Sequence, residues 1–456
     1  MAPSMHTWDD DTNGFADSVI AYAIERLRFP KDTLWGAHPA DELNAAIDHA
    51  ITPHGSGGLE ALRLFREVLM PACRPMDDPM NLAYVPTAPS IASTMFDLVV
   101  SASSIFGGNW EAGAGAIAAE NQALRWLADL AGLPSTAGGV FVSGGSAANL
   151  SALVTAREAH TQRHGRSARP TVATTEEVHA SVRAAARVMD VDVLSVPGDS
   201  NGRLTGSALD EALRAHGGDG VFAVVATGGT TNAGTIDDLD GVADVCSERG
   251  IWMHVDGAYG LAALCSNLVR ERFHGIERAD SFGVDPHKWL FAPYDSAALI
   301  YRDPATAAAT HAQHGAYLDA VNRGEWNPSD YAYHLSRRAR GLPLWFGLVT
   351  YGTDAYSAAV DASISSARAF AAEVTQRPGF HLLLEPELSI VLFTVEGWSR
   401  DGYLAWSRKG AGDGRFLVVP TTWKGEPCLR ICLVHPNTRV AALHELLDDL
   451  ASCTPA

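Results

Sequence analysis

A lysine in apolar and aromatic surroundings is the residue best suited to chemistry in this sequence. Lys288 stands between His287 and Trp289 in the stretch Phe282-Gly-Val-Asp-Pro-His-Lys-Trp-Leu290. A charged amine is costly in such surroundings, and desolvation lowers the pKa of a lysine, which leaves a neutral amine able to attack carbonyl carbons. The alternative is a lysine whose stem lies along the surface while its ammonium stays in water.

An aspartate upstream of this lysine is placed to hold a ring nitrogen. Asp256 ends the strand-like run Ile251–Asp256 and is followed by the small residues Gly257 and Ala258. Open α/β sheets bind ligands at the carboxyl ends of their strands, and a carboxylate there can keep a pyridine nitrogen protonated, so that the ring becomes an electron sink. Two small residues let such a ring come close. The alternative role for Asp256 is to cap a helix.

Two further segments offer a phosphate site and a flat ring. Gly144, Gly145 and Ser146 precede the helical run Leu150–Gln162, so backbone N–H groups and a hydroxyl at a helix N-terminus could bind an anion. His179 could stack on a pyridine ring, or it could simply cap a helix at the surface. Each feature is weak alone, and both gain weight from the carboxylate and the lysine further along the chain.

With these residues in this order, the chain resembles the group II pyridoxal-phosphate-dependent decarboxylases, typified by aromatic L-amino-acid decarboxylase, over about residues 81–434. The matching segments are Leu82-Ala-Tyr-Val-Pro-Thr87, Ala226-Thr-Gly-Gly-Thr-Thr231, His254-Val-Asp-Gly-Ala-Tyr259 and Ala279-Asp-Ser-Phe-Gly-Val-Asp-Pro-His-Lys-Trp289. The resemblance implies an α/β protein of fold type I, the aspartate-aminotransferase architecture, in which flanking helices cover a mixed, mostly parallel sheet and a small α+β domain follows. It also implies pyridoxal 5'-phosphate (PLP) as cofactor and a homodimer with active sites at the interface.

The resemblance assigns roles residue by residue. Lys288 would bind the cofactor covalently, Asp256 would pair with its ring nitrogen, and His179 would stack on its ring. The other expected cofactor contacts are Gly144, Gly145, Ser146 and His287 at the phosphate, with Ala258 and Thr231 near the ring. The expected substrate-carboxylate segment contains Tyr84, Pro86 and Thr87.

The resemblance also bears on the proton donor and the substrate. A tyrosine on a loop is expected to protonate the substrate carbon after CO2 leaves, and Tyr331 is the match, with Tyr333 as the alternative. The segment from Phe106 to Trp110 is expected at the dimer interface, reaching the partner's site. Gly108 stands where the aromatic enzymes carry a bulky ring, and Phe106 could compensate, so an aromatic amino acid is the first expectation for the substrate.

Composition limits the partners and the compartment. The chain has 456 residues with 53 acidic and 34 basic side chains, a formal charge of −19, which argues against a nucleic-acid or anionic-membrane partner. It has no run long and apolar enough for a transmembrane helix and no signal-peptide pattern at its start. Six scattered cysteines are not a disulfide framework, and no metal-ligand spacing occurs. These features predict a cytoplasmic enzyme acting on a small amino-acid substrate.

The pattern along the chain divides it into three parts. Residues 1–88 are predicted to be a helical dimerisation segment, residues 89–345 a large cofactor-binding domain, and residues 346–456 a small C-terminal domain. Strand and helix runs alternate in the middle part, which is typical of βαβ units in a parallel sheet.

Rival interpretations remain open. The same residues could serve an aldehyde synthase, a lyase or an aminotransferase, and a non-catalytic scaffold could keep the fold. The G-x-G-x-x-A match at Gly113–Ala118 lacks a preceding strand, which argues against a dinucleotide site. The sequon Asn149-Leu-Ser151 is interpreted as chance.

Overall fold

The computed structural model describes residues 5–28, 34, 36–218, 220–313 and 324–453. The helices run α1 (Asp10–Arg28), α2 (Ala40–Ile47), α3 (Gly58–Leu64), α4 (Ile91–Ala102), α5 (Trp110–Leu130), α6 (Gly145–His164), α7 (Ala180–Met189), α8 (Gly206–His216), α9 (Leu239–Arg249), α10 (Pro286–Trp289), α11 (Pro304–His311), α12 (Leu342–Tyr351), α13 (Thr353–Gln376), α14 (Arg400–Gly412) and α15 (Val440–Ser452). The strands run β1 (Gly138–Val142), β2 (Thr171–Thr175), β3 (Asp192–Val196), β4 (Val221–Thr227), β5 (Trp252–Asp256), β6 (Ser281–Val284), β7 (Ala297–Tyr301), β8 (Phe380–Leu382), β9 (Ile390–Val395), β10 (Val419–Trp423) and β11 (Glu426–Cys432). Within these ranges no helix is long and apolar enough to cross a membrane.

A seven-stranded sheet carries the middle of the chain. Its strand order is β1-β7-β6-β5-β4-β2-β3. The strands from β6 to β3 pair in parallel, whereas β7 is antiparallel to both of its neighbours. The central strands are buried on both faces, as β4 illustrates, because crossover helices cover a parallel sheet on both sides. The predicted mixed, mostly parallel sheet is confirmed.

Parallel pairing brings three strand ends to one edge of this sheet. Thr227 at the end of β4 lies opposite Asp256 at the end of β5. Asp256 in turn lies opposite Gly283, two residues before Asp285, which follows β6. The sheet therefore delivers Asp256 and the segment leading to Lys288 to the same edge, where parallel sheets bind ligands.

A four-stranded antiparallel sheet, β10-β11-β9-β8, forms the C-terminal lobe with α13, α14 and α15. The larger sheet lies wholly within residues 89–345 and the smaller one within residues 346–456. The segment around Leu82 joins the smaller lobe, because Leu82 donates to the carbonyl of Leu417 at 2.9 Å and accepts from the N–H of Cys432 at 2.9 Å. The end of the N-terminal segment is thus hydrogen-bonded to two segments of the smaller lobe.

The element boundaries follow local chemistry. Helix α9 ends at Gly250, which adopts a left-handed φ of 66°, as expected of a C-capping glycine. The Ala- and Ser-rich pattern at 348–373 predicts one long helix, but the structure differs. The chain forms two helices there, because Gly352 separates α12 from α13 with a φ of 76°. Residues 113–118 lie inside α5, which removes the strand that a dinucleotide site would need.

Candidate active site

The amine of Lys288 is paired with a buried carboxylate. Its Nζ lies 2.9 Å from Oδ2 of Asp285, whose side chain is only 2% exposed. Burial opposes the charge on Lys288, but the attraction and hydrogen bond of Asp285, with the charge of Asp256, outweigh it and raise the pKa of Lys288. The expectation that desolvation alone would lower this pKa is therefore wrong for the chain as folded, because Asp285 is its ion-pair partner.

The turn before α6 forms a narrow cradle next to this ion pair. A Cβ at position 145 would lie 2.9 Å from the Cβ of Ala258 and 3.3 Å from Oδ2 of Asp285, so only glycine leaves the space open. Gly144 is the N-cap of α6 and offers no side-chain cap, which leaves the leading N–H groups available to an anion. The ring of His287 lies 3.9 Å from the position of a Cβ at Gly144. The predicted phosphate residues are thus neighbours.

Asp256 and His179 are joined through one asparagine. The amide of Asn149 donates to Oδ2 of Asp256 at 2.8 Å and to the hydroxyl of Ser181 at 2.9 Å. That hydroxyl lies 2.8 Å from Nδ1 of His179, and Oδ1 of Asp256 accepts from the N–H of Ala258 at 3.1 Å. Asp256 is 4% exposed, whereas His179 is exposed and also caps α7. At this position His179 can both cap α7 and face a bound ligand.

The predicted substrate segment lies beside the loop that follows Lys288. Thr87 donates to the carbonyl of Ala292 at 3.5 Å. Pro86 is buried, and Tyr84 is 50% exposed with a φ of 58°. Arg430 on β11 fastens this segment to the loop after β4, since its guanidinium donates to the carbonyls of Tyr84 and Thr231. Arg430 was not predicted as a site residue, because in the sequence it is only a lone cation in an apolar run.

A second group of predicted residues is fastened by a buried ion pair. The N–H of Ser329 donates to the carbonyl of Gly108 at 3.1 Å, and Arg337 binds both carboxylate oxygens of Glu120 at 2.7 and 2.6 Å. Arg337 also donates to the carbonyl of Gly107 at 2.7 Å. Although Arg337 lies in a short basic cluster with Arg338 and Arg340, its side chain is fully buried and holds two loops together.

Tyr331 and Phe106 belong to these two loops. The ring of Tyr331 is buried and stacks on Trp326 at a centroid distance of 4.1 Å, and burial raises its pKa to about 12. Tyr333 is 55% exposed. A Cβ at Gly108 would lie 2.5 Å from the ring of Phe106. The ring of Phe106 therefore fills the space that the first side-chain atom of a larger residue at position 108 would need.

One aromatic residue near the lysine, Tyr294, was not among the site residues predicted from the sequence. Tyr294 is half exposed, and its ring lies 4.7 Å from that of His287. The charge of Lys288 partly offsets the effect of burial, which raises the pKa of Tyr294. In the sequence, only its position six residues after Lys288 points to a place near the site.

These residues can now be compared with known proteins. The family model described as Pyridoxal-dependent decarboxylase conserved domain matches residues 42–396. An aromatic-L-amino-acid decarboxylase of Bacillus atrophaeus is 30% identical over 423 residues, which cover 90% of this chain and 88% of the relative. The chain belongs to the pyridoxal-dependent decarboxylase family. It is therefore a PLP-dependent carboxy-lyase acting on an amino acid.

Solved structures agree on the fold. Oryza sativa TDC with PLP and tryptamine superposes with a TM-score of 0.89 at 23% identity over 98% of both chains. Rhodiola rosea 4-hydroxyphenylacetaldehyde synthase superposes with a TM-score of 0.87 at 21% identity, over 97% of this chain and 98% of that one. At these identities the likeness establishes the architecture, and the predicted fold type I is confirmed.

The geometry of the site fits PLP. The cradle at Gly145 excludes any side chain, and Oδ1 of Asp285 and the hydroxyl of Ser296 are buried without hydrogen-bond partners among the described residues. An amine, a fixed carboxylate and an open helix N-terminus are the groups that an aldehyde, a ring nitrogen and a phosphate require. When bound, the cofactor would supply the electron sink for the electron pair that stays on the substrate carbon when CO2 leaves.

Proposed function

We propose that this enzyme removes CO2 from an aromatic L-amino acid and releases the amine. Family membership supports the reaction, and the arrangement of Lys288, Asp256 and Gly145 at one sheet edge carries it. The aromatic side chain is supported by the Bacillus atrophaeus relative's name. It is also supported by Phe106, whose ring fills the space at Gly108 and could offer an apolar wall to a substrate ring.

Each residue at the sheet edge takes one task in this proposal. Lys288 would hold the cofactor covalently. Asp256 holds the ring nitrogen, and its two N–H donors fix the plane of its carboxylate. His179 stacks on the ring from the exposed side. Gly144, Gly145, Ser146 and His287 bind the phosphate, Ala258 and Thr231 lie near the ring, and the Tyr84–Thr87 segment faces the substrate carboxylate.

A proton must reach the substrate carbon after CO2 leaves, and a tyrosine is proposed to supply it. Tyr331 remains the first candidate and Tyr333 the second, on the loop match. Tyr294 is added as a third, because its ring packs on His287 beside the lysine. Replacing each by Phe and measuring the ratio of amine to aldehyde identifies the donor. The donor's variant should divert product to aldehyde, and an unchanged ratio removes that tyrosine from the proposal.

The competing proposal is an aldehyde synthase, the activity named for the Rhodiola rosea neighbour. Product analysis separates the two. Amine and CO2 in equal amounts from L-tyrosine, L-tryptophan or L-dopa support decarboxylation, whereas aldehyde with hydrogen peroxide supports the alternative. Lys288→Ala tests the chemistry common to both, since it should leave no cofactor adduct that borohydride can fix. A fixed adduct in that variant refutes the assignment of Lys288.

We also propose that the enzyme works as a cytoplasmic homodimer. Helix α4 leaves apolar side chains exposed on one face, and such a surface in a single chain is typical of a subunit interface. The segment from Phe106 to Trp110 follows this helix, so a dimer would bring it towards the partner's site.

A further inference from the structure

We infer that a buried hydrogen-bond chain running from Trp252 to Asp256 positions this carboxylate for the cofactor's ring nitrogen. The inference rests on the proposed role of Asp256 and adds residues that act through it. Trp252, His254 and Asp256 alternate along β5, so their side chains share one face of the sheet. His254 is fully buried, in a strand whose other residues offer it no polar partner. Its partners come from outside β5.

Four hydrogen bonds complete the chain. Trp252 Nε1 lies 2.9 Å from the hydroxyl of Ser281 on β6, and that hydroxyl lies 2.8 Å from Nδ1 of His254. His254 Nε2 lies 2.9 Å from Oδ1 of Asn149 on α6, and Nδ2 of Asn149 lies 2.8 Å from Asp256. Each side chain is mostly or fully buried, so water does not compete for these contacts.

The direction of every bond follows from Asp256. A carboxylate can only accept, so the NH2 group of Asn149 faces Asp256 and its oxygen faces His254. Nε2 of His254 must therefore carry the hydrogen and donate to Asn149, which leaves Nδ1 to accept from the hydroxyl of Ser281, while that hydroxyl accepts from the indole N–H of Trp252. Burial lowers the pKa of His254 to about 4, which keeps the ring neutral with this one N–H at neutral pH. The amide of Asn149 is thereby locked with its oxygen towards His254 and its NH2 group towards Asp256.

The locked amide serves two groups that face the cofactor site. One N–H fixes Oδ2 of Asp256, and the other reaches the hydroxyl of Ser181 at 2.9 Å. Nδ1 of His179 accepts from the N–H of Ser181 and so carries no hydrogen, which means that the hydroxyl of Ser181 donates to it. Nε2 of His179 is left with the hydrogen. A single chain therefore sets both the carboxylate and the histidine proposed to stack on the ring.

The test compares two cofactors that differ at the ring nitrogen. The apoenzyme binds PLP and 1-deaza-PLP, which has C–H in place of that nitrogen, and the ratio of the two affinities measures the contact with Asp256. His254→Leu removes the N–H donor to Asn149 and should reduce this ratio about tenfold. His254→Gln keeps an N–H at the same reach and should restore most of it. Asn149→Leu should act as His254→Leu does.

A matched control separates positioning from packing. Ser151→Ala changes another buried polar residue of α6, whose hydroxyl has no partner among the described residues, and should leave the ratio unchanged. If His254→Leu weakens both cofactors equally, His254 serves stability alone and the inference fails. If the wild-type apoenzyme binds neither cofactor, the proposed function itself fails, and the two outcomes are distinguishable.

Discussion

Asp285 decides the state of the amine that the reaction needs. In the folded chain without cofactor, Lys288 is an ammonium held at 2.9 Å by a carboxylate that is almost fully buried. If Lys288 holds the cofactor as proposed, an ion pair of this kind would stabilise its free ammonium while substrate occupies the site. We interpret Asp285 as the group that holds Lys288 during that interval.

Asp285→Asn should make Lys288 more reactive in the apoenzyme. Without the carboxylate, burial becomes the dominant influence and lowers the pKa of Lys288, so a larger fraction of the amine is neutral at pH 8. Reductive methylation followed by peptide mass spectrometry measures that fraction, with the exposed lysines Lys409 and Lys424 as internal references. We expect the labelling of Lys288 to rise severalfold relative to both references.

The control for this prediction is Asp354→Asn, which removes an exposed carboxylate on α13. It should leave the labelling of all three lysines unchanged. Slower labelling of Lys288 in Asp285→Asn would contradict the role given to Asp285, because it would mean that the carboxylate promotes the neutral amine.

Single residues were predictable from the sequence where their type conflicts with their surroundings. Lys288 and Asp256 stand out as charges within apolar runs, and Gly145 precedes a helix. Asn149 and His254 could not be predicted, since their role depends on α6 crossing β5, a contact between residues more than one hundred positions apart. The sequon at Asn149 was dismissed correctly as a modification site, for the residue is 1% exposed, but its function lay in a tertiary contact.

At the scale of elements, the pair of Glu120 and Arg337 holds two loops on helix α5. Both side chains are buried, and Glu120 also accepts from the N–H of Gly341 at 2.8 Å. Arg337 in turn binds the carbonyl of Gly107. The loop containing Phe106 and the loop containing Tyr331 thus depend on one carboxylate.

Glu120→Gln should destabilise the protein and loosen these loops. It leaves the buried guanidinium without a countercharge, which costs about 3 kcal/mol of unfolding free energy. Chemical denaturation measures this loss, and hydrogen exchange at Gly107, whose N–H donates to Arg337, reports the loosening. Glu111→Gln, at an exposed position on the same helix, should change neither quantity. Equal stability of the two variants would show that the pair contributes little.

The elements themselves were largely predictable, because hydrophobic period and helix-breaking residues are local. The strand-like run predicted at 251–256 forms β5. The start of α6 was placed five residues late, since nothing local shows that Gly145 already adopts helical geometry. The pairing of segment 81–84 with the C-terminal lobe was also missed, as it joins residues more than three hundred positions apart.

At the scale of the whole molecule, the exposed face of α4 has the form of a subunit interface. Ile91, Met95, Leu98 and Val99 are 37–54% exposed, and their spacing places them on one side of the helix. In a dimer with twofold symmetry, one patch meets its own copy, so a charge introduced there faces another charge of the same sign.

If the enzyme forms the proposed dimer, Leu98→Asp should convert it to monomers. The substitution would bury two like charges against each other in chains that already carry −19 each. Their repulsion and desolvation cost more free energy than the remaining apolar contacts of the interface contribute. Sedimentation velocity measures the mass, and Val188→Asp, at an isolated apolar residue that is 74% exposed on α7, should leave the dimer intact. Because the segment from Phe106 to Trp110 is expected to complete the partner's site, the monomer should lose decarboxylation while keeping its fold by circular dichroism. A wild-type protein that sediments as a monomer with full activity would overturn both the interface and the shared site.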